Sequence, residues 1–174
     1  MSCRLRNYEV IPRDKPSNPE SMPQQSAGLL LYRKQNDGLE IFLVHPGGPF
    51  WAKKDLGSWS IPKGEFDGED SLVAAKREFY EETGLPAPLG EYFPLEPIRQ
   101  KGGKIVHAWA VEGELDAGQM RSNSFEMEWP PRSGKRQAFP EIDMGAWFPV
   151  QEALEKINPG QIGLIRELVE KLAE

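Results

Sequence analysis

Between Asp70 and Pro86 the chain carries a helix whose two ends and two faces are all marked. Asp70 or Ser71 can cap its start, because a short side-chain oxygen there satisfies a free backbone N–H. Gly84 suits the left-handed position that ends a helix, and Pro86 blocks continuation. Leu72, Ala75 and Phe79 fall on one face at helical spacing, so the helix must lie on an apolar layer. A second stripe is acidic. Glu78 and Glu82 stand one turn apart, and Glu81 lies beside both. Like charges at that spacing destabilise a bare helix by about 0.2–0.5 kcal/mol per pair. A divalent cation reverses the sign, and a hard, all-oxygen set suits Mg2+ or Mn2+ better than zinc. Arg77 precedes Glu81 by four residues and can hold that carboxylate in place. Taken alone, such a stripe reads as the solvated face of an amphipathic helix. The Pro62-Lys63-Gly64 loop before it and the Glu81-Glu82-Thr83-Gly84 end turn the reading toward chemistry.

The apolar layer is supplied by strands. Ala27 to Tyr32 is a short continuous apolar run, suited to a strand buried on both faces. Asn36-Asp37-Gly38 is a turn signal, and Leu39 to His45 is the returning strand of a hairpin. Trp59 to Pro62 is a short extended piece. Further strands are expected at about 91–99 and 104–112, separated by Gly102-Gly103, at 124–129, and finally at Trp147 to Val150. Pro130 to Arg136 reads as a basic loop. A helix is expected from Val150 to about Ile157. A last one is opened by Asn158-Pro159 and carries Ile162, Ile165, Leu168 and Leu172 on one face. Interleaved helices and hairpins predict an α/β (α+β) fold with a mixed sheet flanked by helices, not a purely parallel doubly wound one.

The 174 residues suit one domain with a tail. Residues 1–25 hold four Pro with Ser, Asn and Gln and almost no apolar periodicity. They are expected to be a flexible arm, with the domain spanning 26–174. Lys and Arg number 21 against 27 Asp and Glu, a net charge of -6. That balance argues against nucleic-acid binding by bulk charge, which rests on clustered cations neutralising phosphates. Small anionic substrates fit if metal ions handle the charge. The single cysteine, Cys3, excludes an internal disulfide and a cysteine-built zinc site. No apolar run nears the ~20 residues of a membrane span. No apolar stretch marks the start as a secretory signal, so a cytoplasmic setting is the expectation.

Glu69, then seven residues, then Arg77-Glu78-Phe79-Tyr80-Glu81-Glu82-Thr83-Gly84-Leu85 resembles the signature of the Nudix hydrolases, G-x5-E-x7-R-E-U-x-E-E-x-G-U with U a bulky aliphatic. Phe79 stands where an aliphatic is usual. Only four residues separate Gly64 from Glu69, where the family has five. Either Gly64 keeps its role on a tightened loop, or Lys63 occupies its position. The resemblance runs in family order from about Ser26 to the end. His45 to Trp51 and Trp59 to Gly64 are similar to a bacterial subgroup of predicted NTP pyrophosphohydrolases, and Trp59 to Gly64 also to diadenosine tetraphosphate hydrolases.

This resemblance implies an α/β/α sandwich with a mixed sheet and a catalytic loop-helix. It implies an enzyme that hydrolyses a nucleoside diphosphate linked to another group, water attacking phosphorus with Mg2+ or Mn2+ as cofactor. Carried over by position, Glu78 and Glu82 are the principal metal ligands, with Glu81 a third ligand or an orienting group. The carbonyl of Gly64 completes a metal shell, and Glu69 and Arg77 brace the loop against the helix. Family members often place the general base on a late loop. Here Glu141 is the candidate and Asp143, on the same side of an extended piece, its competitor. A box glutamate is a further possibility, with Glu141 binding metal. Lys63 is the candidate phosphate contact and Arg132, with Lys135 and Arg136, a grip for a longer polyphosphate. Tyr92 and Trp129 are the candidates for stacking on a base, whereas Trp109 reads as core. His45 and His107 read as structural.

The expected substrate is a nucleotide polyphosphate, led by diadenosine polyphosphates and NTPs, followed by ADP-ribose and other nucleoside diphosphate derivatives. The competing expectation is a Nudix-fold module that binds a nucleotide or a protein without turnover. Monomer and homodimer stay equally open.

Overall fold

The computed structural model describes residues 22–174; most of the expected N-terminal arm lies outside the described residues. In chain order the strands are β1 (Gln25–Gln35), β2 (Gly38–Pro46), β3 (Lys63–Glu65), β4 (Tyr92–Pro94), β5 (Ile98–Arg99), β6 (Ile105–Glu112), β7 (Ser124–Glu128), β8 (Arg136–Pro140) and β9 (Ile142–Pro149). The helices are α1 (Ser71–Thr83), α2 (Val150–Lys156) and α3 (Ile162–Leu172). The main sheet has the order β4-β6-β1-β2-β9, with β3 paired to β1 and β5 to β6. Only β1 and β6 run parallel; the other pairs are antiparallel, so the sheet is mixed.

The apolar run at the start of β1 is continuous because both faces of the sheet are covered. Leu29 and Leu31 point with Phe42 and Val44 toward α1, where Ala74, Ala75 and Phe79 meet them. Leu30 points the other way with Ile41 and Leu43, against Ile165 and Leu168 of α3 and Ala153 of α2. The result is an α/β/α sandwich. β1 begins at Gln25, one residue before the expected start of the domain, and the Gln24 carbonyl already accepts from the Ile105 N–H.

α1 has the ends its sequence marks. Asp70 accepts from the N–H groups of Leu72 and Val73, and Gly84 sits left-handed at φ 71°. Asn158 caps a single 3-10 turn, Pro159–Gln161, that leads into α3.

Two expectations need correction near residue 141. The final strand begins at Ile142, not at Trp147, and the expected basic loop Pro130–Arg136 stops one residue short, because Arg136 opens a strand, β8. β7 and β8 form a separate two-stranded hairpin with Ser124 opposite Pro140 and Glu128 opposite Arg136. The basic stretch expected as a loop is the turn and first strand residue of this hairpin. Glu141 is the single residue between β8 and β9.

Candidate active site

β3 and α1 build the site together. Gly28, Ala27 and Ser26 of β1 pair with Lys63, Gly64 and Glu65, which fixes the short loop segment on the sheet edge. Gly68 (φ 70°) then turns the chain into the Asp70 cap. In this tightened loop it is Gly64, not Lys63, that lies against Glu78. A Cβ added at Gly64 would fall 1.8 Å from Glu78 Oε2, so only glycine lets the main chain approach the carboxylate so closely. Lys63 faces the next glutamate, and its N–H donates to Glu82 Oε2 at 3.0 Å.

Arg77 gathers the loop and the helix. Its guanidinium donates to Glu69 at 2.5 Å, to Glu78 at 2.7 Å and to Glu81 at 3.2 Å. The Glu69 bond comes from the loop, so loop and helix are tied at one side chain. Hydrogen bonding to Glu69, followed by the bonds to Glu78 and Glu81, holds the Arg77 proton more tightly than usual. Glu78 is buried, and burial pushes its carboxyl up, against the Arg77 hydrogen bond.

Among the described residues Glu82 is the most perturbed carboxyl. Burial pushes it up to about 8. The charges of Glu78 and Glu141 add to this, while the Lys63 N–H and ammonium oppose it. Lys63 is itself lowered, first by burial and then by Lys104. Lys63, Glu82, Glu141, Ile142, Pro46, Val44, Ser60 and Ile61 line one cleft of about 220 Å³. A larger cleft, about 750 Å³, lies beside the same loop. Its described lining includes Glu65, Asp67 and Glu69.

The donor set fits a divalent metal. Carboxylate and carbonyl oxygens are the ligands that Mg2+ and Mn2+ take, and the Gly64 cradle brings a main-chain segment against Glu78. In the present geometry these oxygens are engaged by Arg77 and Lys63. Among the described residues no three His, Cys, Asp or Glu side chains are already gathered around one point. An ion held by Glu78 and Glu82 would have to displace these partners and would require Glu82 to be ionised.

That gives a signed prediction. Folded Glu82 keeps its proton up to about pH 8, whereas an unfolded glutamate loses it near 4.5. The folded state binds more protons in that window, so metal-free stability falls as pH rises through it. If Glu82 is a ligand, Mn2+ binding expels its proton. Calorimetry at about pH 6.5 in buffers of different ionisation enthalpy is expected to report release of close to one proton, fading above about pH 9. Glu82→Gln is expected to abolish the release.

The bulge between β2 and β9 separates the two candidates for general base. His45 pairs with Met144 but Pro46 with Ile142, leaving Asp143 as the extra residue. Glu141 lines the Lys63–Glu82 cleft, while Asp143 binds His45 Nδ1 at 2.8 Å. The same ring's Nε2 contacts the Lys54 carbonyl at 2.6 Å. His45 is thus a buried brace between β2, β9 and the loop after β2, and distance along the chain hides this from sequence reading. His45→Ala is expected to cost about 1–3 kcal/mol in chemical denaturation, the usual range for groups left without their partners.

The remaining candidates scatter. Tyr92 is turned to the α1 flank, with Lys76 Nζ 4.4 Å over its ring and its hydroxyl on the Pro88 carbonyl. Arg132 is exposed in the β7–β8 turn with Lys135, and Arg136 pairs with Glu126 at 3.5 Å. Trp129 meets Phe50, a contact not foreseen. None of these candidates lines the cleft. Trp109 packs on the α1 side and donates to Ser71. His107 bonds Gln25.

Known proteins resemble this arrangement. A Mycolicibacterium smegmatis 8-oxo-(d)GTP phosphatase is 28% identical over 95% of this chain; the chain spans about half of that relative, 48% of its length. A Mesorhizobium japonicum RNA pyrophosphohydrolase is 28% identical over 91% of this chain and 95% of its own. The crystal structure of a C. elegans Ap4A hydrolase binary complex superposes with a TM-score of 0.54 at 25% identity, over 86% of this chain and 98% of that one. The NUDIX domain pattern matches residues 22–168, which takes in the sheet, the glycine cradle, the acidic helix and α3 up to Leu168. The chain belongs to the NUDIX domain family, the Nudix hydrolases.

Proposed function

We propose that this chain hydrolyses a pyrophosphate bond in a nucleoside di- or polyphosphate derivative, with Mg2+ or Mn2+ as cofactor and dinucleoside polyphosphates or NTPs as leading substrates. One observation carries the reading: Lys63, Glu82 and Glu141 line a single cleft, with the Gly64–Glu78 cradle beside it. The relatives support it, since they are named for (d)GTP, RNA and Ap4A. A Nudix fold that only binds would not need the Glu78, Glu81 and Glu82 array kept whole.

Glu78, Glu82, the Gly64 carbonyl and Glu81 would hold a divalent cation, which when bound would supply charge neutralisation and a lowered pKa of its water. Lys63 binds a phosphate oxygen at the cleft mouth. Glu141 accepts the proton of the attacking water. The new O–P bond forms as the P–O bond to the bridging oxygen breaks, and that oxygen leaves with the electron pair on the departing phosphate. Arg77 keeps loop and helix in register throughout. Among the described residues no helix is long and apolar enough to cross a membrane. A reducing, cytoplasmic setting belongs to this proposal, with Cys3 the chain's one cysteine.

A panel of diadenosine tetraphosphate, the NTPs, ADP-ribose, NADH and coenzyme A tests the reading by product chromatography. The expected result is one preferred nucleotide cut at a phosphoanhydride. Binding of several nucleotides with no product from any, at high protein concentration, would instead support the module without turnover.

A further inference from the structure

The loop after β2 and the β7–β8 hairpin share an aromatic cluster that the carboxylate chemistry does not use. Phe125 and Phe139 pair across the hairpin with centroids 6.0 Å apart. Further along, the Phe50 ring meets Trp129 at 5.7 Å and 82°. Aromatic pairs of this kind usually sit in a core, yet Phe50 is 61% exposed and Trp51 beside it 39%. Two perpendicular rings with one open to solvent form an inside corner. A flat heterocycle gains one face to stack on and one edge as a wall.

The corner is coupled to the cleft through Glu141. The Gly47 N–H donates to the Glu141 carbonyl at 2.9 Å, and the Glu141 N–H to the Asn123 carbonyl at 2.8 Å. A Cβ at Gly47 would strike the Pro140 carbonyl oxygen at 1.9 Å, and one at Gly48 (φ 95°) would lie 3.0 Å from the Phe125 ring. Loop and hairpin are therefore pressed together on both sides of the candidate base. Neither Phe50 nor Trp129 lines the cleft itself. Phe50 is four residues beyond Pro46, which does, so the main chain at Phe50 lies within about 14 Å of the main chain at Pro46. A base stacked at the corner belongs to a nucleoside beyond the phosphates in the cleft.

The surroundings favour a short polyphosphate bridge over a nucleic-acid backbone. Lys53, Lys54, Arg132 and Lys135 are exposed on the two segments, and Lys54 Nζ sits 4.8 Å over the Trp51 ring. Glu126 and Glu128 of the hairpin offset part of that charge, and the whole chain carries -6. An RNA chain would need a longer run of cations.

We propose that Phe50 and Trp129 form a second-base subsite, on which the outer nucleobase of a dinucleoside polyphosphate stacks while the bridge crosses the Lys63–Glu82 cleft. The subsite rests on the pyrophosphohydrolase reading. It is tested with Phe50→Leu and Trp129→Leu, which keep apolar bulk but lose the flat face, and with Trp129→Phe. The ratio of kcat/KM for diadenosine tetraphosphate to that for ATP is expected to fall about 5–100-fold in the leucine variants, chiefly through KM, and to recover in Trp129→Phe. Calorimetric binding of both nucleotides is measured beside it. If the wild type turns over neither nucleotide, a 5–100-fold selective loss of diadenosine tetraphosphate affinity still supports the subsite, and only the hydrolase reading fails. An unchanged ratio in turnover and binding overturns the subsite. So does a loss confined to a 5′-triphosphorylated RNA dinucleotide, which would assign the corner to RNA.

Discussion

Glu82→Gln is expected to lower kcat by about 10³-fold or more, close to 4 kcal/mol of transition-state stabilisation, with the fold intact. The amide keeps the size of the carboxyl and an oxygen for the Lys63 N–H. What it loses is the charge that the proposed cation site needs. In the metal-free protein this loss is benign, because Glu82 already carries its proton up to about pH 8. The substitution therefore separates folding from chemistry. Melting of the metal-free variant is expected to approach the wild type only near pH 4.5, to exceed it increasingly as pH rises from there, and to exceed it most above about pH 8, where wild-type Glu82 is ionised in its buried site. Steady-state kinetics and melting curves on one preparation check both halves. A kcat within tenfold of wild type would remove Glu82 from the site.

Gly64→Ala is the second large effect. Alanine is tolerated by the extended backbone of β3, so conformational strain is not the issue. The added methyl meets Glu78 Oε2 at 1.8 Å and its carboxyl carbon at 2.2 Å. Glu78 must leave the cradle, and its hydrogen bond from Arg77 goes with it. Activity is expected to drop by about 10²-fold, since small misplacements of positioning groups carry penalties of that size. Glu78→Asp alone withdraws the carboxylate by one methylene and is also expected to be poor. Combined with Gly64→Ala it removes the clash, so the double variant is expected to lose less than the product of the single losses. Strict multiplicativity, measured as a double-mutant cycle in kcat, would place Glu78 and Gly64 in separate roles.

Much of this architecture is legible in the chain because local and tertiary preferences agree. The two ends of α1 are set by Asp70 and Gly84, and the two-faced burial of β1 by its unbroken apolar run. The acidic stripe follows from helical geometry alone. The hairpin β7–β8 was half visible. β7 alternates Phe125 and Met127 with glutamates, but β8 is exposed along most of its length and leaves no apolar pattern. The start of β9 was hidden for another reason. The bulge at Asp143 breaks the period of two, which is why Glu141 and Asp143 part company although two residues apart. His45 and Asp143 are 98 positions apart and bond directly, while the other ring nitrogen of His45 contacts a main-chain carbonyl of Lys54 that no side-chain pattern announces. The Phe50–Trp129 corner likewise joins two loops by tertiary contact only.

Turnover by protein stripped of divalent cations, before and after Mg2+ or Mn2+ is restored, tests the central claim most directly. It is run in 18O-labelled water on whichever nucleotide of the panel is cut fastest. The account predicts no product from the stripped protein, recovery on adding the ion, and one 18O atom in one phosphate product per bond cleaved. Cleavage that persists without the ion, or product free of label, would contradict it.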